Sequence, residues 1–144
     1  MLRFYALLSI LILVGCSNPI KPTDSEHINA DGLQILNHAN GDTLITQVNL
    51  ETTGQLELNL TDILQIGVFL LDENGDQIPH DHEGECDHEL TIELTDPIAT
   101  FTAGEEHMHF DINGISAGTT TFTMILLHGD HADFTSQPID LVVQ

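Results

Sequence analysis

Seven of the nine histidines fall into three short clusters. The first is His80-Asp81-His82-Glu83-Gly84-Glu85-Cys86-Asp87-His88-Glu89. The second is Glu105-Glu106-His107-Met108-His109, running into Phe110-Asp111. The third is His128-Gly129-Asp130-His131-Ala132-Asp133, while His27 and His38 stand apart. Imidazoles among abundant carboxylates, with one thiol at Cys86, form a donor set for Zn²⁺ first, and for Cu²⁺ or Ni²⁺ next. Ca²⁺ prefers an all-oxygen loop, and Asp72-x-Asn74-Gly75-Asp76 is too short to supply one. The surplus carboxylates attract cations and can accept the outer N–H of a ligating imidazole. Taken singly, each cluster also reads as a solvated acidic loop, so spacing has to carry the distinction. His107 and His109 stand at i and i+2, which on a strand points both rings to one face and leaves Met108, Phe110 and Ile112 for the core. His80-x-His82 can do the same in an extended loop. His128-x-x-His131 spans a glycine turn that can bring two rings together. His107, His109, His128 and His131 are the favoured ligands, with help from His80, His82, Cys86 and His88. Ordering a flexible loop costs entropy that a strand has already lost. Ligation needs neutral imidazole, so binding is expected to weaken as pH falls through about 6.5.

The elements that must position these residues are strands. Apolar residues alternate with polar ones, and turn residues recur every 8–12 positions, the pattern of an antiparallel sandwich or barrel. Leu33–Asn37 and Thr43–Asn49 flank Asn40-Gly41, a hairpin signal. Further strands are read at 63–71, 90–95, 98–102, 107–112, 119–128 and 139–143. The expectation is an all-β sandwich of seven to nine antiparallel strands with no long helix. Its core would include Leu58, Ile66, Val68, Leu70, Ile92, Phe101, Phe110, Phe122, Met124 and Leu126. If successive strands alternate up and down, the connections 72–89, 103–106 and 129–138 lie at one end, and all three histidine clusters fall in or beside them. The opposite connections, Asp96-Pro97 and 113–118, contain no His. The prediction is a single site at one end of the sandwich.

Charge narrows the partners. The chain carries 23 acidic residues against two basic ones, Arg3 and Lys21, for a formal net charge of −21. Nucleic-acid binding needs Lys and Arg to displace phosphate counterions, and a basic patch for anionic lipid is excluded for the same reason. With 41% hydrophobic residues the chain should nevertheless fold. Met1-Leu2-Arg3, the apolar run Phe4–Val14 and then Leu13-Val14-Gly15-Cys16 followed by Ser17-Asn18-Pro19 resemble the signal and lipobox of bacterial lipoproteins. The resemblance implies cleavage before Cys16, lipidation of Cys16, and an extracytoplasmic cell-envelope location on a lipid anchor. The expected organisation is a signal peptide at 1–15, a flexible tether at 16–30 and a β-sandwich at 31–144. Cys86 would then be the one free thiol, with no internal disulfide.

Within the sandwich, Asp96-Pro97-Ile98-Ala99-Thr100-Phe101 and Gly114-Ile115-Ser116-Ala117-Gly118-Thr119-Thr120-Thr121-Phe122-Thr123 resemble bacterial Ig-like domains of group 2. Phe69-Leu70-Leu71-Asp72-Glu73-Asn74-Gly75 resembles that family's strand and turn. The likeness covers about residues 55–143. The chain departs from the pattern in lacking Trp and in carrying a His-rich insertion after Gly75. The resemblance implies an Ig-like sandwich, and family members are mostly structural or adhesive modules. No phosphate loop or His-Glu-x-x-His sequence is present, and Gly114-Ile115-Ser116-Ala117-Gly118 is read within the Ig-like pattern rather than as a nucleophile turn. A superoxide-dismutase-like reading lacks an active-site Arg and a disulfide. The expectation is therefore a non-catalytic, lipid-anchored binder of zinc-like ions, with a metal transporter or envelope protein as possible partner. The alternative is an Ig-like structural or adhesive module whose histidines are incidental.

Overall fold

The computed structural model describes residues 28–79 and 88–144. His80, His82, Cys86 and Cys16, with the rest of residues 1–27, lie outside the described residues. From Gly32 onward the alternating pattern is expressed as eleven β-strands: β1 Gly32–Asn37, β2 Thr43–Val48, β3 Glu51–Gly54, β4 Leu56–Leu58, β5 Ile63–Leu71, β6 His88–Leu94, β7 Ala99–Ala103, β8 His109–Gly114, β9 Gly118–His128, β10 His131–Thr135 and β11 Ile139–Val143. Among the described residues there is no helix. The chain is all-β, and its strands form two sheets stacked as a sandwich.

The first sheet has the order β3-β2-β1-β5-β8-β7. The second is built on the long strand β9. Along one edge of β9 runs β6, from His88↔His128 to Leu94↔Phe122. Along the other edge, β10 pairs with residues 125–128 and β11 with residues 118–122. β4 closes that side by pairing parallel to β11, Leu56↔Leu141. Two expectations are corrected here. Among the described residues there are eleven strands rather than seven to nine, because one extended course near each end is broken in two, β3 from β4 and β10 from β11. Pairing is not wholly antiparallel, because the chain crosses from the first sheet to the second between β3 and β4. Gly54 permits that crossing. Its φ is +91°, and a Cβ there would lie 2.1 Å from the Leu44 carbonyl oxygen.

The inner faces supply the core: Leu33, Ile35, Ile45, Ile66, Val68, Phe110 and Ile112 from the first sheet, and Leu56, Phe122, Met124, Ile139, Leu141 and Val143 from the second. Ile92 and Phe101, expected inside, are partly buried and pack against this cluster. The Phe101 and Phe122 rings meet across the two sheets at 5.2 Å. One buried polar residue ties the sheets together. Gln47 of β2 donates to the Gln137 carbonyl at 3.3 Å and accepts from the Gln137 N–H at 2.7 Å, between β10 and β11.

Candidate metal centre

On β9 the residues Phe122, Met124 and Leu126 face the core, and period 2 carries that stripe on to His128. On β6, Leu94, Ile92 and Leu90 oppose them, and the same stripe ends at His88. Residues directly opposite one another share a face. His88 pairs with His128 from one edge, and His131 pairs with His128 from the other. Three imidazoles therefore stand abreast on three adjacent strands, at the end of the inner face. The His88 and His128 rings stack at 4.6 Å with an interplanar angle of 30°. His128 and His131 lie 5.4 Å apart.

A β-bulge then supplies a carboxylate. The β10–β9 register shifts between Ala132 and Phe134, leaving Asp133 as the extra residue. Without the bulge, Asp133 and Phe134 would point to opposite faces. With it, Phe134 packs on the core opposite Leu126 while Asp133 still turns toward the histidines. Asp133 Oδ2 lies 3.3 Å from His88 Nε2 and 3.7 Å from His128 Nδ1, and Oδ1 lies 3.3 Å from His131 Nε2. Only 4% of the Asp133 side chain is exposed. One ligand atom each from His88, His128 and Asp133 lies within 4.8 Å of the other two. A tetrahedral zinc ion with bonds of ~2.0–2.2 Å holds its donors roughly 3.3–3.5 Å apart, so small side-chain rotations would bring these atoms to ligating distance.

The strand chelate expected at His107 and His109 does not form. β8 begins at His109, and His107 lies in the preceding turn. Met108 adopts a left-handed φ of 62°, which breaks the alternation between the two histidines. His107 Nε2 turns to the His88 carbonyl oxygen at 3.4 Å, joining the turn at 104–108 to the end of β6. His109 keeps the outer face, with Phe110 and Ile112 inward. There it meets His38, at 4.7 Å in a T-shaped contact, and Glu106. The structure thus brings together His88, His128 and His131, with His107 alongside, and sends His109 elsewhere. His38, read from sequence as isolated, and the carboxylates of Asp133 and Glu106 were missed as site residues. The inner stripe ending in His88 and His128 was a legible signal for that pair. The bulge that aims Asp133 was not.

No protein-family model matches the chain, and no curated protein matches it. Among solved structures, it is similar to one described as the S-layer protein SbsC domains 4 and 5, at 14% identity and a TM-score of 0.42. That similarity covers 63% of this chain and 47% of the other, so the chain spans about half the length of that structure.

Proposed function

We propose that this chain is a non-catalytic metal-binding protein that captures or buffers zinc-like divalent ions at His88, His128 and Asp133, with His131 at the rim. The observation that carries the reading is the setting of Asp133. A carboxylate withdrawn from water costs free energy unless it is paired. The only basic residues of the chain, Arg3 and Lys21, both precede the sandwich. Three imidazoles are its neighbours instead, and imidazole nitrogens facing a sheltered carboxylate are the donor chemistry of zinc sites. The lipobox resemblance at Leu13–Cys16 supports a lipid anchor that would hold this site in the cell envelope outside the cytoplasm. A Cys16→Ser variant is expected to lose membrane association and processing, and normal fractionation of that variant would refute the anchor.

The site is tested by titrating zinc into the protein in competition with a chromophoric chelator. His128→Ala and Asp133→Asn should each weaken the tightest step by more than the roughly 10–100-fold that loss of an outer-shell partner costs. Unchanged affinity in both variants would refute this ligand set. A chain that takes up no zinc would return the reading to a structural or adhesive module.

A further inference from the structure

A second group of donors lies on the opposite side of the first sheet, away from its inner face. We infer that His38, Glu106 and His109 form a second, solvent-open site for a zinc-class divalent ion, one that does not depend on the site at Asp133.

Three features point to it. One ligand atom from each of the three residues lies within 4.8 Å of the other two. Two imidazoles and a Glu carboxylate are a recognised zinc donor set that leaves a coordination position for water or an incoming ligand. Second, the His109 ring is oriented. Its Nδ1 lies 3.0 Å from the His107 carbonyl oxygen. A backbone carbonyl only accepts, so the proton belongs on Nδ1 and the lone pair on Nε2, the arrangement that prepares imidazole for a metal. Third, the strand between the two histidines has been cleared of a side chain. Gly67 of β5 sits opposite His109 on β8 and opposite Leu36 on β1. A Cβ at Gly67 would lie 3.1 Å from His109 Nε2 and 3.4 Å from its Cδ2. Glycine weakens a strand interior, and its presence there marks a close approach. Here it lets the His109 ring lie across β5 toward His38. His38 is held in turn by its own N–H, which donates to the Gln65 carbonyl at 2.9 Å. The carboxylate comes from the 104–108 turn, where the His109 N–H donates to the Glu106 carbonyl oxygen at 3.2 Å; Glu106 Oε2 lies 3.7 Å from His109 Nδ1, the protonated side of the ring, and its flexible side chain has to rotate to meet an ion at Nε2.

The two sites differ in access. His38 and Glu106 are exposed, whereas Asp133 is sheltered. The same turn touches both, through Glu106 on one side and His107 against His88 on the other.

The test follows the histidine ring nitrogens of the ¹⁵N-labelled full-length chain, in detergent, by long-range ¹H–¹⁵N correlation while zinc alone is added. The ring nitrogens of His38 and His109 should shift together, and should do so equally in a His128→Ala variant. His38→Ala, a change at an exposed loop position, should abolish the His109 shift and weaken that step at least 10-fold. Gly67→Ala should weaken it too, by crowding the ring while leaving every ligand in place. If Gly67→Ala fails to fold, His38→Ala alone decides. A silent His38 alongside responsive His88 and His128 would overturn this site and leave the proposed function standing. A His109 response that persists unchanged in His38→Ala would also overturn it. If no ring responds to zinc, both readings fall.

Discussion

Asp133 and Asp72 show how differently two carboxylates of one acidic chain are satisfied. Asp133 has three imidazoles and little water around it. Zinc that binds the folded chain stabilises it by about 2.7 kcal/mol at a free concentration 100 times Kd. Asp133→Asn is expected to lose most of that gain. In chelator it should melt no lower than the parent, because an amide brings no buried charge. Melting curves with zinc and with chelator check both halves, and a full zinc response in the variant would refute the role of the carboxylate. Asp72 is partly exposed and works on backbone. Its Oδ1 accepts the N–H groups of Asp76 at 2.9 Å and Asn74 at 2.8 Å, bracing the turn that leaves β5. The Asp76 N–H is the largest influence holding its pKa below the ordinary 3.8, with Asn74 and Gly75 adding to it against a smaller effect of burial. A depressed carboxylate pKa stabilises the fold above the ordinary value, and that contribution is lost as pH falls through the folded one. Asp72→Ala should therefore lower the melting temperature at neutral pH and narrow its difference from the parent below about pH 3. A constant difference across that range would refute the turn argument.

At the scale of the elements, strand β9 organises the site and β10 completes it. The bulge at Asp133 and the break between β10 and β11 both fall on the edge of β9. Ser136 occupies the break. Its hydroxyl accepts the Met124 N–H and its own N–H donates to the Met124 carbonyl, each at 2.9 Å, so β9 loses no backbone partner there. Next to it, the Gln47 amide clamps Gln137 to the first sheet. Replacing Gln47 by Leu removes both partners of the part-buried Gln137 backbone groups, at a cost of about 1–3 kcal/mol if water does not replace them. Urea denaturation measures it, and a change below about 0.5 kcal/mol would show that water replaces the clamp. Strand positions and the Asn40-Gly41 turn were legible because alternation and turn chemistry are local. The partition of strands between sheets, the parallel β4–β11 pair and the bulge were not, because they depend on which distant edge each strand meets.

Across the whole molecule, the charge of −21 is spread over a sandwich without a single Lys or Arg after residue 21. Like charges at that density oppose compaction, and salt screens them with a Debye length of about 8 Å at 0.15 M. Raising monovalent salt from 20 to 500 mM, roughly a fivefold shortening of that length, should shift the urea midpoint upward. A midpoint that falls or stays still would show that the repulsion is too dispersed to matter. The same field concentrates cations, divalent ones most, at the surface of the domain.

Much of this protein was legible in local chemistry: strand formation in the alternation, and the concentration of possible metal donors in three histidine clusters. Which donors meet was decided in three dimensions. His107 and His109 are two residues apart and part company because one left-handed residue, Met108, lies between them. His88 and His128 are forty residues apart and stack because two strands share a register. His109 instead joins His38 across a glycine 29 residues from one and 42 from the other. Spacing along a chain predicts neighbours only while the backbone keeps one period, and both groups of possible donors form where that period breaks or where strands distant in sequence are laid edge to edge.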